Sequence, residues 1–439
     1  MMESKKKPAF EGINIPSDEL LNNCIHCGLC LPTCPTYSLT ELERSSPRGR
    51  IRLIKAVAEG TLPITKEFVY EMNFCLDCQA CETACPAGIK YGSLVEAARA
   101  QVYEHGLETM LGRYLKRFLL SWVFSRNSRI KFLAHLLRIY QLTGLQLIVE
   151  KTGVLKLFSK NLNAIQLLAP KISKSFSTDI LVEQISPKTK VRFRVGFLPG
   201  CIMDIAFAQV NIDTVELLLH HGCEVIIPKG QRCCGSLQGH NGDIRGAKEN
   251  ARYNIELFSH YEFDYLVINS AGCGAFIKEY GSLFQDDDKL AWKAKSLSDR
   301  TKDITEFLVE TGFYPTNKKE FHPYLGKRVT YQAACHLIHT QRISEQPRTL
   351  IRSIPGIDYV ELPESSWCCG SAGVYNITHH TESMQLLKRK IERIQEIKPD
   401  IVVTGNPGCM LQLQYGLNQE KSDIELLHTA TFLRRACET

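Results

Sequence analysis

The chain has 439 residues with 18 cysteines, and its 53 basic and 47 acidic side chains give a formal net charge of +6. At roughly 100–200 residues per domain, this length predicts about two to four domains. The cysteines make up about 4% of the chain, below the ~8–10% of small disulfide scaffolds. The sequence contains no uninterrupted apolar run of the ~18 residues that a spanning helix needs. The first residues lack the apolar stretch of a secretory signal. We therefore expect a reducing compartment, where clustered cysteines indicate metal or redox chemistry.

Two cysteine runs near the start, CIHCGLCLPTCP and CLDCQACETACP, share the pattern C-x2-C-x2-C-x3-C-P. This pattern is typical of [4Fe–4S] ferredoxins, in which the last cysteine of each run ligates the other cluster. The rule predicts a first ferredoxin set of Cys24, Cys27, Cys30 and Cys85, and a second ferredoxin set of Cys34, Cys75, Cys78 and Cys81. Zinc is the alternative, but zinc sites favour two separated CxxC pairs.

The insert between the two runs, LTELERSSPRGRIRLIKAVAEG, predicts a helix, and the spacing is longer than in a compact two-cluster ferredoxin. We therefore expect an α-helical ferredoxin domain over residues 1–98. The insert carries a basic run, Arg48, Arg50, Arg52 and Lys55. This run either balances the charge of the clusters, faces a partner, or forms an ordinary solvated helix face.

Residues 99–190 are predicted to form a helical, basic connecting segment. From Arg99 to Arg194 there are 17 basic and 5 acidic residues. A helical reading places Leu115, Phe118, Leu119, Trp122 and Val123 on one face, and Lys116, Arg117 and Arg126 on another. Such a helix binds an anionic membrane surface or packs its apolar face against protein, and both interpretations stay open here. Nucleic-acid binding is not expected, because no recognition module accompanies the charge.

The remainder of the chain is an internal repeat, because three cysteine landmarks recur 134, 135 and 136 residues later. The first CCG set is Cys201, Cys233, Cys234 and Cys273, and the second CCG set is Cys335, Cys368, Cys369 and Cys409. In each copy, apolar runs that read as strands (VRFRVGFL, EVIIP and YLVINS; RVTYQA, DYVEL and DIVVTG) alternate with helical segments. This alternation predicts a parallel sheet with the cysteines just after strand ends. The fold class is thus multidomain α+β, with α/β CCG domains over 191–325 and 326–439.

Four further residues carry side chains that could bind iron but lie outside the four cysteine sets. His336 and His339 follow Cys335 at helical spacing and are candidates for supporting a cluster through hydrogen bonds rather than for binding iron directly. Cys223 and Cys437 lie outside the repeated pattern, and we expect both to be ordinary thiols.

These motifs carry a family resemblance. Paired CCG domains are typical of heterodisulfide reductase subunits and of iron–sulfur subunits of flavin-linked 2-hydroxyacid dehydrogenases. The segments SPRGRI, CHLIHTQR, CCGSAGVYN and TGNPGCMLQL, with the ferredoxin runs, resemble the iron–sulfur subunits of glycolate oxidase (glycolate dehydrogenase) over about residues 16–436. In the fullest CCG form the last element is CxxC, whereas this chain has Ser270 and Asn406 at the first of those positions.

The resemblance implies an electron-transfer subunit of a complex that oxidises glycolate to glyoxylate, with FAD-containing partner subunits and quinone or another acceptor. The implied cofactors are two [4Fe–4S] clusters, with one or two further iron–sulfur clusters at the CCG cysteines. No dinucleotide fingerprint or phosphate loop occurs, so neither a flavin site nor a substrate site is expected on this chain. Two alternatives remain: a heterodisulfide-reductase-like thiol/disulfide subunit, and an iron–sulfur subunit of an anaerobic glycerol-3-phosphate or lactate dehydrogenase. The expected location is cytoplasmic, including a peripheral position on the cytoplasmic face of the inner membrane.

Overall fold

The computed structural model describes residues 10–11, 14–105, 114, 117–155, 166, 168–313, 315 and 322–437. The chain divides into two compact units. The N-terminal unit comprises Met1–Ser125 with Gly235–Lys248, and the C-terminal unit comprises Arg126–Cys234 with Glu249–Thr439. The sequence-based domain boundaries stay predictions. The segment Gly235–Lys248 directly follows Cys233 and Cys234 along the chain, yet it belongs to the N-terminal unit, which contains the ferredoxin cysteines.

The N-terminal unit is helical in the part that the structure describes. Its helices are α1 (Asp18–Asn22), α2 (Pro35–Thr40), α3 (Pro47–Ala58), α4 (Lys66–Phe74), α5 (Ala80–Thr83) and α6 (Tyr91–His105), with a 3₁₀ turn at Glu43–Ser45 and a π-helical turn at Phe118–Val123. The predicted insert helix is α3. Apolar side chains of α3, α4 and α6, among them Ile54, Phe68 and Leu94, form the core of the N-terminal unit.

The SPRGRI segment begins α3 for identifiable reasons. Ser46 accepts a hydrogen bond from the Gly49 N–H at 3.0 Å and so caps the helix, while Pro47 occupies its first turn. A Cβ atom at Gly49 would lie 1.9 Å from the Glu43 carbonyl oxygen. Only glycine therefore allows the helix to pack this closely against the preceding 3₁₀ turn.

The connecting segment is helical where it is described. It contains α7 (Asn127–Leu142), α8 (Leu145–Thr152) and α9 (Ser177–Ile180). Of the predicted amphipathic face, Leu115 and Lys116 lie outside the described residues, as does the side chain of Leu119. Phe118 and Trp122 stack with ring centroids 5.0 Å apart and are half-exposed, whereas Val123 is buried.

The C-terminal unit contains two sheets. The strands are β1 (Gln184–Ile185), β2 (Phe193–Phe197), β3 (Cys223–Ile226), β4 (Tyr265–Ile268), β5 (Thr301–Asp303), β6 (Arg328–Tyr331), β7 (Asp358–Tyr359), β8 (Ile401–Thr404) and β9 (Glu425–His428). The first sheet has the order β1-β3-β2-β4-β5 and the second has the order β7-β6-β8-β9. All pairings are parallel except that of β1 with β3.

Helices connect these strands. They are α10 (Ile202–Ala206), α11 (Ala208–His220), α12 (Ser236–Gly239), α13 (Ile244–Phe258), α14 (Ala271–Lys278), α15 (Tyr280–Leu283), α16 (Ala291–Arg300), α17 (Ile304–Glu310), α18 (Glu345–Arg352), α19 (Tyr375–Thr378), α20 (His380–Ile397), α21 (Pro407–Gln419) and α22 (Thr429–Ala436), with a π-helical turn at His336–Thr340. The predicted fold class, a multidomain α+β protein with duplicated α/β domains and parallel sheets, is confirmed. Strands β1, β5 and β9 were not predicted, because they lie outside the six apolar runs that were read as strands.

The two repeats share one hydrophobic core. Phe197 and Phe307 of the first repeat belong to the same buried cluster as Tyr331 and Phe432 of the second. Polar contacts join the repeats as well, since Thr431 Oγ1 donates to Asp213 at 2.6 Å and a His428 ring nitrogen lies 2.8 Å from the Asn269 carbonyl oxygen. The repeats are therefore expected to unfold together.

Among the described residues, no single helix is long and apolar enough to cross a bilayer. Helices α7 and α8 reach the length and apolar composition of a membrane-spanning segment only when they are taken together, and this pair is bent by 70°.

Replacing Phe432 with Ala should destabilise both repeats. Its ring is fully buried and stacks on Tyr324 at 4.4 Å, so truncation should cost about 3–5 kcal/mol of unfolding free energy. Denaturant titration measures this loss, and hydrogen exchange should show weaker protection in β2 and β6 alike. Ala at the exposed Trp292 is the control, with an expected change within about 0.5 kcal/mol. Loss of protection in one repeat alone would contradict the shared core.

Candidate iron–sulfur sites

The first ferredoxin set lines one pocket. Cys24, Cys27 and Cys30 come from the loop between α1 and α2, and Cys85 follows α5; all four line this pocket together with Cys81. The loop turns tightly because His26 and Gly28 adopt positive φ angles of 53° and 87°. The structure thus brings together the four residues that spacing assigned to one cluster.

The second ferredoxin set is buried. Burial raises the pKa of the Cys81 thiol well above its ordinary value, and Cys78, Cys75 and Cys34 add to this rise. Cys34 therefore lies with the three cysteines of the other run, as the crossed-ligand rule requires. Hydrogen bonds also reach these sulfurs. The Asp77 N–H donates to Cys75 Sγ at 3.3 Å, and the Tyr91 hydroxyl donates to it at 3.5 Å.

Arg50 is the buried member of the basic run. Its side chain is fully buried and donates to the carbonyl oxygens of Glu71 at 2.8 Å and Ser45 at 2.7 Å. Burial alone would lower its pKa, but Tyr91, Cys75, Cys34 and Glu71 raise the net value above that of an ordinary arginine. The positive charge beside Cys34 and Cys75 supports the charge-balancing interpretation for Arg50. Arg52, by contrast, is exposed.

The segment Gly235–Lys248 completes the N-terminal unit near Cys75. A His240 ring nitrogen lies 2.6 Å from the Glu96 carboxylate, and Arg99 donates to the His240 carbonyl oxygen at 2.8 Å. Arg99 also donates to the Cys75 carbonyl oxygen. Burial would lower the pKa of His240, but Glu96 and Asp77 raise it well above its ordinary value. No sequence pattern indicated this cluster.

The first CCG set lies at the carboxyl ends of parallel strands. Cys201 follows β2, Cys233 and Cys234 follow β3, and Cys273 lies in the first turn of α14. Cys201 and Cys233 are in sulfur contact at 3.6 Å. Hydrogen bonding to Cys233 and then burial raise the pKa of Cys201 well above its ordinary value, with a further contribution from Cys273. The pKa of Cys234 is raised by hydrogen bonds with Cys233 and Cys273 and by burial.

The second CCG set repeats this arrangement. Cys335 follows β6, Cys368 and Cys369 follow β7, and Cys409 lies in the first turn of α21. Hydrogen bonds with Cys335 and Cys369 raise the pKa of Cys368, and a hydrogen bond with Cys369 raises that of Cys409. The pKa of Cys369 is instead lowered well below its ordinary value by hydrogen bonds from Cys368 and Cys409, with a smaller contribution from Lys390.

All four cysteine sets suit an iron–sulfur cluster in their donor chemistry. Each supplies four sulfur donors that converge, and thiolates are the ligands that iron–sulfur clusters require. Because burial penalises isolated thiolates, these sites favour ionised sulfur only when cations or iron balance the charge. The ligand assignments themselves stay predictions.

Asn406 links the two repeats at the position where the fullest CCG form has a cysteine. Its side-chain oxygen accepts from the Gly272 N–H at 3.3 Å, and its amide nitrogen donates to Cys409 Sγ at 3.7 Å. Beside it, the Ala271 N–H donates to the Gly405 carbonyl oxygen at 3.2 Å. The amide therefore serves a structural role that connects the last cysteine loops of both repeats.

His336 and His339 occupy the π-helical turn after Cys335. His339 is buried, and one of its ring nitrogens lies 3.3 Å from the carbonyl oxygen of Ser366, two residues before Cys368. Burial lowers the pKa of His339. This contact agrees with a supporting role for His339 beside the CCG loop. His336 is only partly buried.

Cys223 and Cys437 lie apart from the four sets. Cys223 belongs to β3 within the core, and burial raises its pKa to about 12. Burial raises the pKa of Cys437 to about 11, and this side chain packs against the same core. Both positions suit ordinary packing thiols.

Three family models match the chain. Residues 20–89 match a 4Fe-4S dicluster domain, and residues 195–278 and 329–414 match the cysteine-rich CCG domain. Residues 111–169 match the linker region of the glycolate oxidase iron-sulfur subunit.

Relatives similar over most of the chain include two bacterial proteins. The "Probable glycolate oxidase iron-sulfur subunit" of Bacillus subtilis (strain 168) is 36% identical over 421 residues, which cover 95% of this chain and 94% of the relative. The glycolate oxidase iron-sulfur subunit of Escherichia coli (strain K12) is 29% identical over 404 residues, or 91% of each chain. Lactate utilization protein A of Geobacillus sp. (strain WCH70) is 32% identical over 240 residues, which cover 55% of this chain and 98% of the relative.

Serine substitutions should reveal the crossed ligands. Cys34→Ser and Cys78→Ser should each remove the same EPR signal from anaerobic protein, because both residues belong to the second ferredoxin set. Cys85→Ser should remove the other signal. Cys223→Ser is the matched control and should leave both signals intact. The crossed assignment would be wrong if Cys34→Ser and Cys85→Ser exchanged these effects.

Proposed function

The chain belongs to the family of glycolate oxidase iron-sulfur subunits, and from this premise we propose that it carries electrons for the oxidation of glycolate to glyoxylate. It is an iron–sulfur electron-transfer subunit of a hydroxyacid dehydrogenase. The observation that carries the proposal is the crossed convergence of Cys34 with Cys75, Cys78 and Cys81, which is the donor arrangement of a two-cluster ferredoxin.

The proposed reaction separates substrate chemistry from electron transfer. Oxidation of glycolate releases two electrons and two protons, and an FAD on partner subunits would accept them. Iron–sulfur clusters held by this chain would supply one-electron chemistry, which would let the two electrons pass on singly. The residues of this chain hold the clusters in place, exclude water from the second ferredoxin set and balance charge through Arg50. The terminal acceptor in this proposal is a quinone.

The heterodisulfide-type alternative is less well supported. The residues at the position of the additional cysteine are Ser270 and Asn406, and Asn406 is committed to a contact with Gly272. The two repeats therefore supply four cysteines each in place of five. Lactate is the second substrate candidate, because lactate utilization proteins match 55% of this chain. Glycerol 3-phosphate is a third.

A quinone acceptor requires access to a bilayer, and helices α7 and α8 offer a surface for it. The buried side of α7 carries Ile130 and Ala134, at a spacing of four residues. The large apolar side chains on the other side are exposed, and together with those of α8 they form the α7–α8 apolar surface: Phe132, Leu136, Ile139, Leu142, Leu145, Leu147 and Ile148. An exposed apolar surface of this kind marks an interaction site.

We propose that the α7–α8 apolar surface rests on the cytoplasmic face of the inner membrane. The stretch from Arg99 to Arg194 carries 17 basic and 5 acidic residues, which favours an anionic lipid surface. Leu142, at the end of α7, is the most exposed of these side chains, at 79%. The chain would then be a peripheral cytoplasmic protein, with its partner subunits bound elsewhere.

Affinity purification of the tagged chain from anaerobic extract tests the proposed reaction. An FAD-containing partner should co-purify, and glycolate should bleach the visible cluster absorption of the complex within the mixing time. Lactate and glycerol 3-phosphate are run in parallel and should act at least about tenfold more slowly. The Cys78→Ser variant should retain the flavoprotein and lose most of the bleaching. Faster bleaching by lactate would reassign the substrate, and absence of any flavoprotein would refute the proposal.

Vesicle sedimentation tests the membrane surface. The double substitution Ile139→Asn with Leu142→Asn should weaken binding to phosphatidylglycerol vesicles at least about fivefold, because each partly buried side chain contributes about 1 kcal/mol. Trp292→Asn, exposed elsewhere on the C-terminal unit, is the matched control and should bind normally. Normal vesicle binding by the double variant, together with loss of the co-purified flavoprotein, would assign the surface to the partner subunit instead.

A further inference from the structure

The two CCG repeats differ in charge at one equivalent helix position. Cys273 and Cys409 lie 136 residues apart, and so do the first residues of β4 and β8. The same offset pairs Asn254 of α13 with Lys390 of α20. Both side chains are 1% exposed. One repeat therefore buries a neutral amide where the other buries an ammonium group.

Lys390 points at the loop that leads to the second CCG set. Its ammonium group donates to the carbonyl oxygens of Glu364 and Ser365, the latter at 3.4 Å. Arg389 holds the Glu364 carboxylate with two hydrogen bonds of 2.8 Å. The Glu364 carboxylate is thus engaged by a neighbouring arginine, and the loop carbonyls fix the position of the ammonium group.

Lys390 also interacts electrostatically with the thiols. Burial lowers the pKa of Lys390 to about 8, and Cys369, Cys368, Glu364 and Cys409 act in the opposite direction. Three of these four groups belong to the second CCG set. A buried cation is stable only beside compensating negative charge, and cysteines that bind iron supply such charge as thiolates.

Asn254 contacts the loop of the first CCG set without a charge. Its amide nitrogen donates to the carbonyl oxygens of Arg232 at 3.1 Å and Cys233 at 3.2 Å, and its oxygen accepts from the Arg232 N–H. Both residues therefore donate to backbone carbonyls of their own CCG loop, although Lys390 binds three to four residues before Cys368 and Asn254 binds at Arg232 and Cys233. The two positions also differ in charge.

We propose that Lys390 is a positioning residue for electron flow, and that its charge makes a cluster on the second CCG set easier to reduce than one on the first. Reduction adds one electron, and therefore one negative charge, to the cluster, while Lys390 stays protonated and no bond is made or broken. The ammonium group stabilises the reduced state more than the oxidised state. The inference rests on the proposed function, in which both CCG sets bind iron–sulfur clusters. It assigns the second CCG set as the site where a transferred electron resides.

EPR-monitored titration of the anaerobic full-length chain with dithionite tests the inference without flavoprotein or substrate. The signal that Cys369→Ser removes belongs to the second CCG set, and the signal that Cys234→Ser removes belongs to the first. In Lys390→Met, the ratio of reduced to oxidised cluster on the second set should fall at least tenfold at a fixed potential, which is about 59 mV for one electron. Lys390→Arg should retain the native ratio, and so should Lys388→Gln on the exposed side of α20.

Asn254→Lys provides a gain-of-charge variant that does not depend on the stability of Lys390→Met. This variant should raise the reduction potential of the cluster on the first CCG set and leave that of the cluster on the second CCG set unchanged. An unchanged midpoint in both Lys390→Met and Asn254→Lys would overturn the inference, and so would native protein with only the about eight irons of two ferredoxin clusters. Failure of glycolate to reduce the complex, with these shifts intact, would refute the proposed function and leave the role of Lys390 standing.

Discussion

Thiolates that bind iron repel one another, and a buried site offers little solvent to relieve that repulsion. The second ferredoxin set illustrates the constraint, because the pKa of Cys81 is raised by burial and then by its three sulfur neighbours. The surrounding fold must therefore bring positive charge and hydrogen-bond donors to the sulfurs. Arg50, the Asp77 N–H and the Tyr91 hydroxyl meet this requirement. Helix α3 supplies Arg50 and helix α6 supplies Tyr91 to this site.

Charge compensation also distinguishes the sites from one another. Arg50 is buried beside the second ferredoxin set, and Lys390 is buried beside the second CCG set. The equivalent of Lys390 in the first repeat is the neutral Asn254. A cation stabilises the more negative, reduced state of a cluster, so clusters bound at two sites with the same four cysteines would differ in reduction potential. The duplicated domain thus offers two cysteine sets that are alike in their donors and unlike in the charge beside them.

Much of the architecture could be predicted from patterns that are visible in the sequence. Cysteine spacing predicted which residues converge, because the crossed ligand rule is geometric, and strand–helix alternation predicted the parallel sheets. The grouping of Cys34 with Cys75, Cys78 and Cys81 agrees with this rule. The contacts of His240 were not predictable, because they depend on a segment that leaves its own repeat and packs beside α6. Charge balance by the basic run was one of three open interpretations, and the burial of Arg50 was not predicted, since helical periodicity alone does not tell which arginine of a basic run faces inward.

Asn406 shows why a missing cysteine does not amount to a lost function. The sequence presented it only as a departure from the CxxC form. In the structure its oxygen accepts from Gly272 of the first repeat, while its nitrogen donates to Cys409 of the second. An amide satisfies a donor and an acceptor at once, whereas a thiolate serves only as an acceptor and a ligand. The substitution therefore replaces a fifth sulfur with a hydrogen-bonded connection between the two cysteine loops, and it offers no additional thiol for disulfide chemistry.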